Sequence, residues 1–244
     1  VKTVPFFYRD GTMGLPIYPE LFAKYGEILH RDRRGNVIEK LRLNDRWRTL
    51  QPLVLFNSKD QALALMRYSD QQRPRQAIQV VTQDGGQHWS EPIRSMLPNP
   101  DSAIAGIALG QGRMMVVINN NSVQRDDLTL MYSEDGGHAW QQVFRFEDQG
   151  AFRHSKINSR QFTQCIVRLF RNSDPDFKIN KQRIDQIRKV MCRKNRCFFQ
   201  FDYPYLIQSS DGHFHLLYSW NRTYIKQIEF NRAWLEDRLK DIKA

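Results

Sequence analysis

The chain has 244 residues, 41% of them hydrophobic, which is enough for a sizeable core and leaves room for one or two domains. No run of about 18 apolar residues occurs, so no transmembrane helix is expected, and three cysteines are too few for a disulfide-stapled scaffold. The net charge of +11 is uneven, because residues 151–200 hold 13 Lys/Arg against only Asp174, Asp176 and Asp185, ten of the eleven charges.

The N-terminal Val1-Lys2-Thr3-Val4-Pro5-Phe6-Phe7-Tyr8 lacks both an initiator Met and the apolar stretch of a signal peptide, and reads as a processed or truncated start. Export to a secreted or periplasmic location is open. Glu27 to His30 and Asn36 to Glu39 flank Asp32-Arg33-Arg34-Gly35, a hairpin pattern. Two units of similar layout follow. In the first, strands at Gln51–Leu55 and Ala62–Arg67 enclose a turn, and Ala77–Val81 is a third strand. In the second, Ala103–Leu109, Met114–Asn119 and Leu128–Tyr132 repeat that order, and Gln142–Phe146 adds a fourth. After a basic segment, Tyr203–Ile207, Phe214–Trp220 and Ile225–Phe230 open a further unit with a polar, helical tail. Within the basic segment Ile179, Ile184, Ile187 and Met191 fall at helical spacing, which predicts a mostly helical insertion. Cys192 and Cys197 fit a bridge across a short loop, and two ordinary thiols equally well. No Cys/His spacing suits a zinc site, and no cofactor is called for.

The third strand of each middle unit ends in one octad. The copies are Thr82-Gln83-Asp84-Gly85-Gly86-Gln87-His88-Trp89 and Ser133-Glu134-Asp135-Gly136-Gly137-His138-Ala139-Trp140, with the Asp residues 51 apart (135 − 84). A fixed period of that size signals a repeat architecture of four short strands per unit. Gly supplies positive φ to the turn, Asp caps backbone N–H groups, and the Trp is expected in the core. This octad resembles the Asp-box of the bacterial neuraminidase repeat found in sialidases. The resemblance implies an all-β fold, a six-bladed β-propeller of sialidase type, of which this chain covers about four blades or lacks the N-terminal ones. The expected division is 1–147 for blades with Asp-boxes, 148–201 for the basic helical insertion, and 202–244 for a further blade and tail. Asp84, Gly86, Trp89, Asp135, Gly137 and Trp140 are then structural.

In such a blade the start of the first strand and the end of the second point to one face, near the central channel. Gln51 with Arg67, Asp101 and Ser102 with Asn119, and Tyr203 with Asn221 and Arg222 occupy these places, and Arg125 returns to the same face. Arginines there suit an anionic, hydroxyl-rich ligand, because the guanidinium forks a carboxylate. Tyr203-Pro204-Tyr205-Leu206-Ile207 with Asp211-Gly212 and Leu216-Leu217-Tyr218 resembles the sialidase segment that carries the nucleophilic Tyr. The resemblance puts Tyr203 at that position, Asp101 where a Glu is expected, and Asn119 where an Arg is expected. It implies hydrolysis of a terminal sialoside or other anionic glycan; the alternatives are a non-catalytic carbohydrate-binding propeller, or a scaffold that binds a polyanion or protein through 148–201. Glu20 and Glu27 are further carboxylates in reach, and Trp220 fits either a sugar platform or the core.

Overall fold

The computed structural model describes residues 3–152, 157–176, 178, 180–194 and 196–243. Its β structure is a series of antiparallel sheets of one layout, each strand pairing with the next in sequence. The first sheet holds β1 (Phe6–Phe7), β2 (Met13–Ile17), β3 (Glu27–Arg31) and β4 (Val37–Arg42). The second holds β5 (Thr49–Phe56), β6 (Ala62–Tyr68), β7 (Gln76–Thr82) and β8 (Ile93–Pro98), and the third β9 (Ala105–Gly110), β10 (Arg113–Ile118), β11 (Asp127–Ser133) and β12 (Gln141–Asp148). An insertion follows, with helices α1 (Ser159–Ser173) and α2 (Lys181–Met191) and a hairpin of β13 (Cys192–Arg193) and β14 (Arg196–Cys197). The fourth sheet has three strands, β15 (Phe201–Gln208), β16 (Phe214–Trp220) and β17 (Tyr224–Phe230), before helix α3 (Arg232–Lys243).

Burial follows the sequence pattern. Strands β6 and β11 are buried along their whole length, their polar members Arg67, Asp127, Thr129 and Ser133 included. Strand β17 alternates exposed and half-buried residues, with one side to water. Neighbouring sheets meet in chain order, β2 against β5, β5 against β9, and β9 against β15. Leu53, Leu63, Met114 and Val116 form one core between the second and third sheets. Buried Glu147 of β12 accepts hydrogen bonds from Tyr218 on β16 and from Lys226 on β17 (2.8 Å for the latter), fastening the third sheet to the fourth.

The Asp-box turns close as their chemistry requires. Thr82 Oγ1 donates to Asp84 Oδ1 (2.8 Å) and accepts from the Gly86 N–H (3.0 Å), and Asp84 Oδ1 accepts from the amides of Gln87 and His88. Ser133 and Asp135 repeat this around Gly137 and Ala139. Gly137 sits at φ 92°, and a Cβ there would lie 2.4 Å from Leu63 of the second sheet, so only glycine lets this turn press on its neighbour. Trp89 and Trp140, expected in the core, are half-buried. Their rings cover the edges of the clusters while each indole N–H donates to the carbonyl of Gly86 or Gly137, a bond that holds the ring at the surface of the turn.

The insertion is helical in the region the periodicity indicated. Helix α2 buries Ile184, Ile187 and Met191, while Ile179 lies outside the described residues. Helix α1 begins with a capping box, Asn158 accepting from the Gln161 amide and the Gln161 side chain accepting from the Asn158 amide. It buries Phe162, Ile166 and Phe170 against the fourth sheet, Phe170 packing on Trp220 and Tyr224. Cys192 and Cys197 are bonded and close the hairpin.

Candidate functional site

Every sheet delivers side chains to one face through its loop between second and third strands and through the start of its first strand. At that start, Gln51, Asp101 and Tyr203 stand in equivalent places in the second, third and fourth sheets, and all three have left-handed backbone, with φ of 55°, 60° and 51°. Pairing registers slip beside two of them, between Leu50 and Leu53 and between Asp202 and Tyr205. Such irregularities re-aim a side chain out of the sheet, and a left-handed non-glycine residue is a strained position that the surrounding fold must hold.

The aimed groups converge on Arg67, at the end of β6. Its Nε donates to Asp101 Oδ1 at 2.7 Å and its Nη1 reaches Gln51 Oε1 at 3.4 Å, with Tyr203 close enough to act on its charge. Gln51 continues the chain to the Tyr18 hydroxyl at 3.4 Å. Burial pulls the Arg67 pKa down, but the bond and charge of Asp101, followed by Tyr203, outweigh it and leave the pKa raised. The guanidinium is 8% exposed, and a cation so placed needs its carboxylate partner. Tyr203, by contrast, is 51% exposed and open to a ligand.

A second arginine completes the mouth. Arg125 Nη1 donates to Asp202 Oδ1 at 2.8 Å and its Nη2 donates to the Asp101 carbonyl, which ties the third sheet to the fourth just beneath Tyr203. Arg222, at φ 54° after β16, is exposed on the same face. Asn119 and Asn221 do not face a ligand. Both are buried: Asn119 Nδ2 donates to the carbonyls of Asp127 and Phe201, and Asn221 Oδ1 accepts from the Gln200 amide. Position at a strand end placed them correctly, but their short side chains turn back to satisfy backbone groups. Trp220 is likewise core, stacked on Tyr224 with centroids 4.9 Å apart and covered by α1, so it offers no platform to a sugar. Tyr18 and Asp202 were missed in the sequence. The signal for each was its place, one residue past the end of β2 and one before Tyr203.

A cleft of about 450 Å³ lies on the opposite face, lined by Tyr8, His30, Glu39, Asp84 and His88. Its Asp84 is engaged in the first Asp-box turn and with His88 Nδ1. Among the described residues no group of His, Cys, Asp and Glu could hold a metal ion, and no helix is long and apolar enough to cross a membrane.

Solved structures similar to this one include the NanB sialidase of Streptococcus pneumoniae, with 8% identity and a TM-score of 0.58 over 94% of this chain and 30% of that one. The leech intramolecular trans-sialidase, solved with 2,7-anhydro-Neu5Ac, has 10% identity and a TM-score of 0.56 over 93% of this chain and 30% of its own. A protein of unknown function from Dyadobacter fermentans has 10% identity and a TM-score of 0.51 over 92% of this chain and 50% of its own. At such identities the likeness shows the fold alone, a sialidase-like β-propeller, and the chain spans less than a third of NanB. No curated protein matches the sequence. The family model of the BNR repeat-like domain matches residues 1–216, and the chain belongs to that family.

Proposed function

We propose that the protein is a sialidase-like glycoside hydrolase acting on a terminal anionic sugar. In this reading its four sheets are blades of a six-bladed propeller, with blades in 1–147 and 202–244 and an insertion at 148–201. The observation that carries it is the half-exposed Tyr203, held at the mouth by left-handed backbone, within reach of Arg67 and of the Asp101 that pairs with it. A neutral phenol approaches an anionic sugar without the repulsion a carboxylate nucleophile meets, and sialidases use Tyr for this reason. Tyr203 attacks the anomeric carbon as its proton passes to Asp101, and the glycosidic oxygen leaves with the bonding pair and takes a proton from water. The resulting hydroxide then cleaves the tyrosyl-sugar bond, and the phenolate recovers its proton from Asp101. The Nη groups of Arg67, together with Arg222, bind the sugar carboxylate, while Arg125 positions Asp202 and the backbone of Asp101.

Turnover of a fluorogenic sialoside tests this directly. Tyr203→Phe is expected to abolish turnover while the variant still binds the sugar, and a variant as active as wild type overturns the assignment. One observation favours a second reading, a non-catalytic binder of anionic glycans: Asp101 and Asp202 are both engaged with arginines, which weakens either as a base. Saturable binding lost in Arg67→Ala, with no turnover by wild type, selects that reading.

A further inference from the structure

We propose that the insertion is a docking surface for an anionic polysaccharide, with the disulfide-closed hairpin as its principal contact. Its described basic residues lie almost wholly in solvent: Arg160, Arg168, Arg171, Lys181, Arg183 and Lys189 on the helices are exposed. Among the described residues one ion pair forms on the helices, Asp185 with Arg188 at 3.2 Å, and exposed Asp174 and Asp176 are the other acids there. The hairpin concentrates the charge further. Arg193, Lys194 and Arg196 are all exposed on a loop whose ends are joined by the Cys192–Cys197 bond and the β13–β14 pairing. Cations presented on a closed hairpin lose little freedom when they bind, so less of their attraction is spent on ordering. The Arg196 guanidinium lies 5.2 Å from the centre of the exposed Phe198 ring, giving charge beside an aromatic face, a combination suited to an acidic sugar.

The position of the hairpin names the partner. Arg196 and Phe198 line a crevice with Gln124 and Asp126, the loop that carries Arg125 to the mouth. The Phe201 amide, just after the hairpin, donates to the Arg125 carbonyl. The hairpin is therefore packed against the loop that carries Arg125, and a glycan held there lies on the side of the sheets that bears the mouth. A membrane partner fits less well, because interfacial binding needs apolar side chains to insert. Among the described residues of the insertion the exposed large apolar ones are Val190 and Phe198, the latter beside Arg196. The disulfide suits an oxidising compartment, where glycans abound and nucleic acids do not. The proposal does not require Tyr203 to turn over a substrate.

The test is fluorescence anisotropy of the full chain with a labelled sulfated oligosaccharide, at low and high salt. A neutral oligosaccharide and vesicles with and without phosphatidylserine serve as comparisons. The triple variant Arg193→Glu, Lys194→Glu, Arg196→Glu should weaken binding on the order of tenfold or more, as charge reversal at a steering contact does. A triple with the same charge change, Arg34→Glu, Lys40→Glu, Lys59→Glu, alters exposed residues of the first and second sheets and should stay within about twofold of wild type. Thermal melts confirm folding, and if the hairpin triple melts early the single Lys194→Glu variant replaces it. Equal weakening by both triples means that net charge alone attracts the probe, and overturns the proposal. Absence of wild-type binding overturns it too, as does binding to anionic vesicles without binding to the oligosaccharide. Binding without sialoside turnover upholds it and sinks only the hydrolase reading.

Discussion

At the scale of single residues, the hydroxyls of the Asp-box turns hold more than the carboxylates suggest. Ser133 is 1% exposed, and its Oγ accepts from the Gly137 amide at 2.9 Å while donating to Asp135. Ser133→Ala leaves a buried N–H with no acceptor, which costs about 1–3 kcal/mol, and thermal unfolding should show the loss where Ser133→Thr does not. The carboxylates add a pH dependence. Amide donors, that of His88 first, hold the Asp84 carboxyl below the ordinary range. At Asp135 desolvation is the largest influence and opposes the shift, but the donors at Ala139 and Ser133 together overcome it. A depressed folded-state pKa contributes stability that is present above the unfolded value, about 3.9, and is lost as pH falls through the folded one. The double variant Asp84→Asn, Asp135→Asn should therefore melt lower than wild type at neutral pH, with the gap closing in acid; a gap independent of pH refutes the linkage. The inner bonds of these turns were legible in the sequence, because those partners lie within five residues, whereas the bonds of Gly85 to Asp60 and of Gly136 to Gly112 and the half-buried Trp rings were not. The mouth was legible only in part. Tyr203, Arg67 and Asp101 follow from strand order, but Asp202 gains its role from Arg125, 77 residues away, and no local pattern reports such a meeting.

At the scale of elements, the seam between the third and fourth sheets carries a buried ion pair, Glu147 with Lys226, besides Arg125 with Asp202 at the mouth. Lys226→Met would strand the Glu147 carboxylate, 3% exposed, with only the Tyr218 hydroxyl as partner. Loss of one member of such a pair costs about 3–5 kcal/mol, and chemical denaturation should register it. The double variant Glu147→Gln, Lys226→Met, which removes both charges, should recover most of that loss. If the single and double variants unfold alike, the pair is not what fastens the seam. Burial and Glu147 also raise the Tyr218 pKa, so its hydroxyl stays a donor to the carboxylate. Strand layout came from the repeated unit, and the helical character of α2 from the spacing of Ile184, Ile187 and Met191. Helix α1 did not, because its buried Phe162, Ile166 and Phe170 are interleaved with arginines and the segment read as charge before it read as a helix.

At the scale of the molecule, stability should be graded across the sheets. The fully buried β6, β10 and β11 are expected to hold the slowest-exchanging amides. Strand β4, with Val37 and Ile38 more than half exposed, should exchange fastest among the paired strands of its sheet. Amide hydrogen exchange measures this order, and uniform protection across the four sheets would contradict it. The repeat at 51 residues announced the four-stranded layout shared by the second and third sheets. What the repeat could not convey is the insertion's attachment, which depends on aromatic packing of Phe170 on Trp220 and Tyr224 across the boundary of two units.

The shared left-handed conformation of Gln51, Asp101 and Tyr203 has a consequence for how such a protein diversifies. The second, third and fourth sheets each present one socket to the mouth, and the same backbone conformation carries a different side chain in each. An amide, a carboxylate and a phenol already occupy three copies of one position. Exchanging occupants therefore rewrites recognition without redesigning a strand, and Gln51→Glu, which adds a carboxylate beside Arg67 at the cost of one atom's identity, is the smallest such rewriting.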